Sequence, residues 1–442
     1  MSHHSHHSQQ PTQASAPPFA LNAQDGLNLP DQDVVVVGGG PAGLAAALAF
    51  ARDGWRVCLV EKRSEAALAN PQFDGREIAM THHTRAWLEA MGVWGRIDPA
   101  AICPLNTARV ESGSATDMPL LFEATDARMN GTGNAGIPAA PGEGAAPLGW
   151  LVANHLIRKA LWEAVQSHPA IHVRAGCAVA GLEQGRQEAR LNLDDGKAVR
   201  ARLVVGADGR FSHLRDLAGI GSIVHDFHTS ILVCRMRHEA PHDHTALQWF
   251  DESQTIALLP VADDTRTRQG AGHVTSLVLT LPPDEIARLE VATPEAFAAE
   301  ITERTRGRLG PLKLDSGRIS YPLKAVYAHR FHAGRVALVG DAAVGMHPIT
   351  AHGFNYGIRA VEMLAESALD GAGDPGAAAG LAAFGRRLRR ATVPLFAGTN
   401  AIATFYTRDD GPFPLLRKMG LRVAQHLTPF KKHVTRMLMD PA

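Results

Sequence analysis

The chain has 442 residues, with 44 Lys and Arg balancing 44 Asp and Glu. That length exceeds what one hydrophobic core usually supports, so two domains are expected, and zero formal charge gives no footprint for nucleic acid. Cys58, Cys103, Cys177 and Cys234 lack C-x-x-C spacing, which argues against a disulfide framework or a zinc site and for a reduced compartment.

Residues 1–30 are rich in His, Ser, Gln, Ala and Pro and lack the parts of a secretory signal. They read as a disordered leader, with His3, His4, His6 and His7 as a tag or an adventitious metal binder. No functional metal site is expected. Residues 34–37 are a β-branched run suited to a buried parallel strand. Gly38, Gly40 and Gly43 follow with G-x-G-x-x-G spacing: a tight turn, a close approach to pyrophosphate, and tight helix packing. The helix that begins there offers free N–H groups to phosphates. Residues 57–60 form a second strand, and Glu61 at its end suits ribose hydroxyls. Strand, helix, strand and acid in that order favour a dinucleotide site over a merely structural glycine turn. Pro41, Ala42 and Lys62 are assigned to the cofactor with them. The long apolar run over 34–51 contains this loop and is better read so than as a membrane span.

Phe73-Asp-Gly-Arg76-Glu77 follows a loop, and a helix is expected near 84–91. Residues 111–149 are rich in Gly, Ala and Pro and read as an irregular excursion. Asn154 is a candidate cap for a helix over 155–167. Residues 171–173 and 189–193 alternate like short strands, Asp195-Gly196 marks a hairpin turn, and 202–205 is a buried strand leading into Gly206-Ala-Asp208-Gly209. Alternation over 230–236, 255–259 and 274–281 predicts an antiparallel sheet. The nucleotide-type pattern returns at 335–339, before Gly340-Asp341, and helices dominate from 354. The expected fold is α/β. A discontinuous Rossmann-like domain (31–110, 150–219, 325–395) carries an inserted antiparallel-sheet substrate domain (111–149, 220–324), and 396–442 form a C-terminal helical region.

Several motif matches fail on context. Gly131-Thr-Gly133-Asn-Ala-Gly136 has no strand before it. His238-Glu239-Ala-Pro241-His242 spells H-E-x-x-H, but Pro241 does not suit the helix that would align two imidazoles. The tryptophans lack the Trp-x-Trp-x-Ile-Pro expected of a halogenase. A second dinucleotide loop and a paired redox cysteine are both missing, which argues against a disulfide reductase.

Three segments remain in order: the Gly38 loop with Glu61; residues 204–215 with Asp208, Gly209, Ser212 and Arg215; and residues 338–348 with Gly340, Asp341, His347 and Pro348, continuing through Gly353, Asn355 and Gly357. This combination resembles the group A flavoprotein monooxygenases, the single-component FAD ring hydroxylases, over about residues 32–440. The resemblance implies that Asp208 lies near FAD and the nicotinamide path. It also implies that Asp341 contacts the ribityl chain and that Pro348 and Gly353 frame the isoalloxazine, with Gly340 and Asn355 assigned to the cofactor beside them. An acid after a buried strand and before a helix suits ribityl hydroxyls, while helix N–H groups facing the pyrimidine would stabilise negative charge on the reduced ring.

Within that group the chain most resembles the ubiquinone-biosynthesis hydroxylases. Phe73 to Ala79 looks like their Phe-Asp-x-Arg-x-x-Ala stretch, whose Arg, here Arg76, reaches the cofactor. Met91-Gly-Val-Trp94 and the tail from Asn400 also match. Ala351-His352-Gly353 stands where the family has Gly-Gln-Gly, and Val344 where it has His. Ala351 narrows the backbone freedom there and puts the family's ring position in doubt; the 340–353 string is similar to a subgroup of demethoxyubiquinol 5-hydroxylases with relaxed position choice.

The resemblance implies that NAD(P)H reduces FAD, that O2 adds at the flavin C4a position, and that the hydroperoxide passes one oxygen to an electron-rich ring. His352, His347 and Tyr321 are candidates for assisting phenol deprotonation; each has a structural reading beside it. Competing functions are hydroxylation of a soluble phenol, a flavin reductase or dehydrogenase of an isoprenoid, and a non-catalytic flavin-binding subunit. A polyprenylated aromatic substrate implies a cytoplasmic protein in peripheral contact with the inner face of the membrane, with a biosynthetic complex as a further expected partner. Residues 412–439 interleave six basic residues with apolar ones and no acid, which suits an anionic surface or a packed helix with a solvated basic face. Ring position, tail length, nicotinamide choice and oligomeric state stay open.

Overall fold

The computed structural model describes residues 32–112, 119–123, 146–251, 254–262, 272–347 and 353–407. Two large sheets organise them. In the first, the strands Val336–Leu338, Ala198–Gly206, Gln32–Val37, Val57–Glu61 and Ile171–Ala175 lie side by side and parallel. Val34, Val35 and Val36 are fully buried, as are Val57, Cys58 and Leu59. A strand covered on both faces needs apolar residues without alternation, and these runs supply them. The helix Pro41–Arg52 packs on this sheet through Leu44, Leu48, Phe50 and a row of alanines. Its close approach depends on Gly43, where a Cβ would overlap the Gly38 carbonyl oxygen, and Gly38 itself adopts φ +111°.

The second sheet has nine strands and is antiparallel apart from one parallel pair. Its central strand, Ser222–His238, runs 17 residues, well beyond the expected 230–236. Its C-terminal half pairs with His273–Leu281, and most of its length pairs with Ile319–Ala328. Leu232, Cys234 and Met236 point to one face, where Ile286 and Leu289 of the helix Pro283–Val291 and Phe297 and Ile301 of the helix Pro294–Arg304 close a core. Ile231 and Val233 point to the other face with Leu323, Ile319 and Tyr321.

Part of the stretch read as irregular is ordered into this sheet. Thr107–Ser112 pairs with both Thr245–Asp251 and Leu120–Glu123. The Gly- and Pro-rich composition masked short apolar positions; Leu120, Phe122 and Leu148 are buried together with Val110 beside them. A third, small sheet joins Glu77–Met80, Gly149–Ala153 and Cys103–Leu105. The helix Asn154–Gln166 starts one residue earlier than expected, and Asn154 does not cap it: Ala153 is the N-cap, and the Asn154 amide reaches Asp74 instead. Two long helices, Gly353–Leu369 and Ala378–Thr407, complete the described chain.

Candidate active site

The open ends of the parallel strands carry the first loop. Gly40 is the N-cap of the helix Pro41–Arg52, with no side-chain cap, and Pro41 brings no N–H. The first turn therefore keeps its N–H groups for an anion. A Cβ placed at Gly40 would meet nothing within 4 Å, so there is room above the loop. Glu61 ends its strand only 5% exposed. Its Oε2 accepts the Gly39 N–H, and its Oε1 accepts the Arg63 N–H and Nε–H, both at 2.9 Å. Burial works to raise this carboxyl's pKa, but the bonds from Arg63 and Gly39 outweigh it and hold the group below its ordinary value. Arg63 also donates to the Gly39 carbonyl at 3.1 Å. Lys62 points into solvent. The basic residue bound to the loop is thus Arg63, which sequence reasoning missed.

The segment Phe73 to Glu77 lies against the second sheet and is tied to the helix Asn154–Gln166. Asp74 accepts from Arg76 Nε at 3.1 Å and from Asn154 Nδ2 at 2.7 Å. Burial opposes ionisation of Asp74, yet Arg76 and Asn154 hold its pKa below the usual carboxylate range. Arg76 lies with its guanidinium carbon 5.7 Å from the Tyr321 ring centre. Tyr321 donates its hydroxyl to the Asp74 carbonyl at 2.9 Å, and burial pushes the phenol above its ordinary pKa. Tyr321 therefore stays protonated at neutral pH, with its proton committed to the backbone. Beside it, Arg235 donates to Glu77 at 2.7 Å and lies over the Phe73 ring at 4.9 Å. Gly75 sits against Val233; a Cβ there would come within 2.5 Å of Val233 Cγ2.

The second and third loops are bound to each other. Asp208 accepts from Ser212 Oγ and from the Leu214 N–H at 3.0 Å, so its carboxylate organises the start of the helix His213–Leu217. Arg210 donates to the Lys324 carbonyl at 2.7 Å and to Asp341 at 3.3 Å. Buried Arg215 donates to the carbonyls of Arg210 and Ala342 at 3.1 and 3.2 Å. Gly340 adopts φ +58°, and a Cβ there would lie 2.7 Å from Ala42, so the third loop touches the first. Asp341 remains 44% exposed at its side chain, open to a ligand.

His347 is buried, its ring edge-on to Phe227 at 4.6 Å. Burial, then Arg210 and His225, lower its pKa to about 4, so the imidazole is neutral near pH 7. Asn355 spends its amide on the backbone of the segment Ala79 to Thr81: Oδ1 accepts the Thr81 N–H at 3.2 Å and Nδ2 donates to the Ala79 carbonyl at 2.9 Å. Gly353 is exposed at the start of its helix. Pro348 and His352 lie outside the described residues, as do the second glycine-rich match at 131–136 and the basic tail at 412–439. His238 ends a strand rather than opening a helix, and its Nδ1 bonds the Ala240 carbonyl at 2.8 Å. Among the described residues no cluster of His, Cys, Asp and Glu could hold a metal ion.

These loops suit FAD: uncapped helix N–H groups for its diphosphate, an acid at the end of the second strand for ribose, and Asp341 for the ribityl chain. Between the third loop and the Asp74–Arg76 segment runs an apolar strip of Phe227, Ile231, Val233, Leu323 and Tyr321. It touches His347 through Phe227 and Asp74 through Tyr321.

Residues 31–375 match the FAD binding domain family. The chain is 38% identical over 410 residues to the ubiquinone hydroxylase UbiM of Neisseria meningitidis, covering 92% of this chain and 84% of that one. It is 32% identical over 429 residues to the ubiquinone hydroxylase UbiL of Rhodospirillum rubrum, covering 96% and 94%. Its fold matches the crystal structure of p-nitrophenol 4-monooxygenase PnpA from Pseudomonas putida with a TM-score of 0.70 at 18% identity, covering 93% of this chain and 99% of that one.

Proposed function

This chain belongs to the FAD binding domain family and is an FAD-dependent monooxygenase, and on that premise we propose that it hydroxylates the aromatic ring of a polyprenylated phenol or quinol in ubiquinone biosynthesis. Bound FAD supplies the oxygen-activating chemistry, with NAD(P)H as electron donor and O2 as co-substrate. The protein's own residues bind, orient and shield. The first loop and Glu61 take the adenosine diphosphate half. Asp341, aimed by Arg210, takes the ribityl chain. A phenol or quinol ring is already electron-rich, so the site needs a dry wall more than a nucleophile.

The observation that carries this reading is the apolar strip of Phe227, Ile231, Val233 and Leu323, set between the His347 loop and the Asp74–Arg76 segment. Its partly exposed rings, Phe227 and Tyr321, over buried Ile231, Val233 and Leu323, offer a substrate ring apolar contact. The relatives named ubiquinone hydroxylases support the same substrate class. No helix among the described residues is long and apolar enough to cross a membrane. We place the contact with a bilayer-borne substrate at residues 412–439, on the cytoplasmic face, from their basic and apolar composition.

Quinone profiling of a deletion strain by mass spectrometry tests the reading. Accumulation of a prenylated precursor lacking one ring hydroxyl is expected, and its structure names the ring position, the 5-position included. Labelled O2 should place one labelled oxygen on the ring. An unchanged quinone profile, or label arriving from water, would overturn the assignment.

A further inference from the structure

Arg158 sits in the second turn of the helix Asn154–Gln166, half-buried, and among the described residues it makes no hydrogen bond or ion pair. Asn154, one turn earlier on the same helix face, donates to Asp74 at 2.7 Å, which sets Arg158 beside the Asp74–Arg76 segment; the charges that act on it are Arg63, Asp74, Arg76 and Glu61. Both carboxylates are already engaged: Glu61 is held by Arg63 and the Gly39 N–H, and Asp74 by Arg76 and Asn154. Three guanidinium groups thus converge on two spoken-for acids, leaving one cation in excess. Burial and the repulsion from Arg63 and Arg76 lower the pKa of Arg158. A half-buried cation among cations costs stability unless an anion joins it. Arg63 holds the Gly39 carbonyl, so the surplus charge is next to the phosphate loop.

We propose that Arg158 is a cofactor-binding residue that, with Arg63 and Arg76, clamps the diphosphate of FAD, and that the crowding of these cations makes the flavin-free protein depend on loading for stability. Guanidinium groups suit this task because they are always charged and pair with phosphate oxygens through two parallel N–H donors. The inference rests on membership of the FAD family and not on the identity of the phenol, so a flavin titration can fail while ring hydroxylation stands.

The test compares wild type, Arg158→Leu and Arg158→Lys as full chains stripped of flavin. Arg158→Leu should melt at a higher temperature than wild type without flavin, because a repulsive charge is gone. Its FAD affinity, read by quenching of flavin fluorescence, should fall roughly ten- to hundredfold, as expected for a lost charged contact. The salt dependence of FAD binding should flatten. Riboflavin, which has no phosphate, should bind both proteins within about twofold, and Arg158→Lys should recover part of the affinity. A merely structural arginine would give the opposite pattern, a lower melting temperature without flavin and unchanged FAD affinity, and that result overturns the proposal. Unchanged FAD affinity with a raised KM for NADH or NADPH would also overturn it, by assigning the clamp to the nicotinamide nucleotide.

Discussion

The guanidinium of Arg215 donates to the carbonyl of Ala342 at 3.2 Å, and so ties the loop after the strand Ala198–Gly206 to the turn that carries Asp341. The same group holds the Arg210 carbonyl, and Arg210 in turn holds Asp341. One buried arginine therefore sets the spacing of two loops that are far apart in sequence. Arg215→Met should keep much of the apolar packing and lose these bonds. A loss of about 2–4 kcal/mol is expected, within the range for breaking a buried polar network, together with reduced flavin content. A variant with full FAD occupancy and an unchanged denaturation midpoint would show that the two loops are held by other contacts.

Asp341→Ala removes the one exposed carboxylate of the third loop and leaves Arg210 without its acid partner. Largely flavin-free protein is expected, with secondary structure retained. The check is the ratio of flavin to protein absorbance after purification, beside a circular dichroism spectrum. A full yellow complement in this variant would remove Asp341 from the cofactor site.

Sequence reasoning expects Glu61→Ala to weaken FAD less than Asp341→Ala, because ribose contacts are solvated and water replaces them. The structure adds a second job. Glu61 fixes the Gly39 N–H and Arg63, so its loss also loosens the phosphate loop. Glu61→Gln should lower thermal stability at neutral pH. The carboxyl's folded pKa is depressed, so its contribution is complete above the unfolded value of about 4.3 and is lost as pH falls through the lower folded value. The stability gap between variant and wild type should therefore close below about pH 4. A gap that persists in acid would assign the effect to shape rather than charge.

The parts legible in sequence were local. The valines of 34–37, the glycines behind them and Glu61 lie within thirty residues, and their spacing carries their geometry. Gly340-Asp341 was visible for the same reason, a buried strand ending in a small residue and an acid. What escaped was convergence. Arg63, Asp74, Asn154 and Arg158 come near one another only because the helix Asn154–Gln166 packs against the helices Pro41–Arg52 and Glu65–Ala69, and nothing in their separate neighbourhoods marks them. Asn154 resembled a cap because caps favour that residue type, yet Asp74 offers its amide a charged partner. The strands Thr107–Ser112 and Leu120–Glu123 were hidden by Gly-, Ala- and Pro-rich flanks, since short strands depend on the sheet they join more than on their own propensity.

Glu77 and Arg235 join the small sheet to the second large sheet, with the Glu77 side chain only 2% exposed. Burial raises the pKa of Glu77, and Arg235 pulls against it. Breaking such a pair from one side costs about 3–5 kcal/mol when the charge left behind is fully buried, and less here because Arg235 is 27% exposed, whereas replacing both partners is often close to neutral. Glu77→Ala should therefore destabilise measurably, and Glu77→Leu combined with Arg235→Met should recover most of the loss. Urea midpoints for the single and double variants decide it. A double variant as unstable as Glu77→Ala would mean that the pair's neighbours, Phe73 among them, depend on the charges themselves.

His347 offers the clearest pH signature. Its ring is buried against Phe227, and its pKa is lowered to about 4 by burial first and then by Arg210 and His225. In the unfolded chain a histidine titrates near 6.5. The unfolded state therefore binds a proton that the folded state refuses, and stability falls as pH drops from about 6.5 toward 4. Below that range both states are protonated and the slope from this residue ends. His347→Gln removes the titration while keeping a polar side chain of similar reach. The variant should lose less stability than wild type between pH 6.5 and 4, and the two denaturation curves should run parallel above pH 7. Because the imidazole is already neutral near pH 7, the pH profile of substrate turnover in wild type should show no break near 6.5 from this group. A break there that disappears in His347→Gln would make His347 a proton carrier in the reaction instead of a buried neutral wall residue.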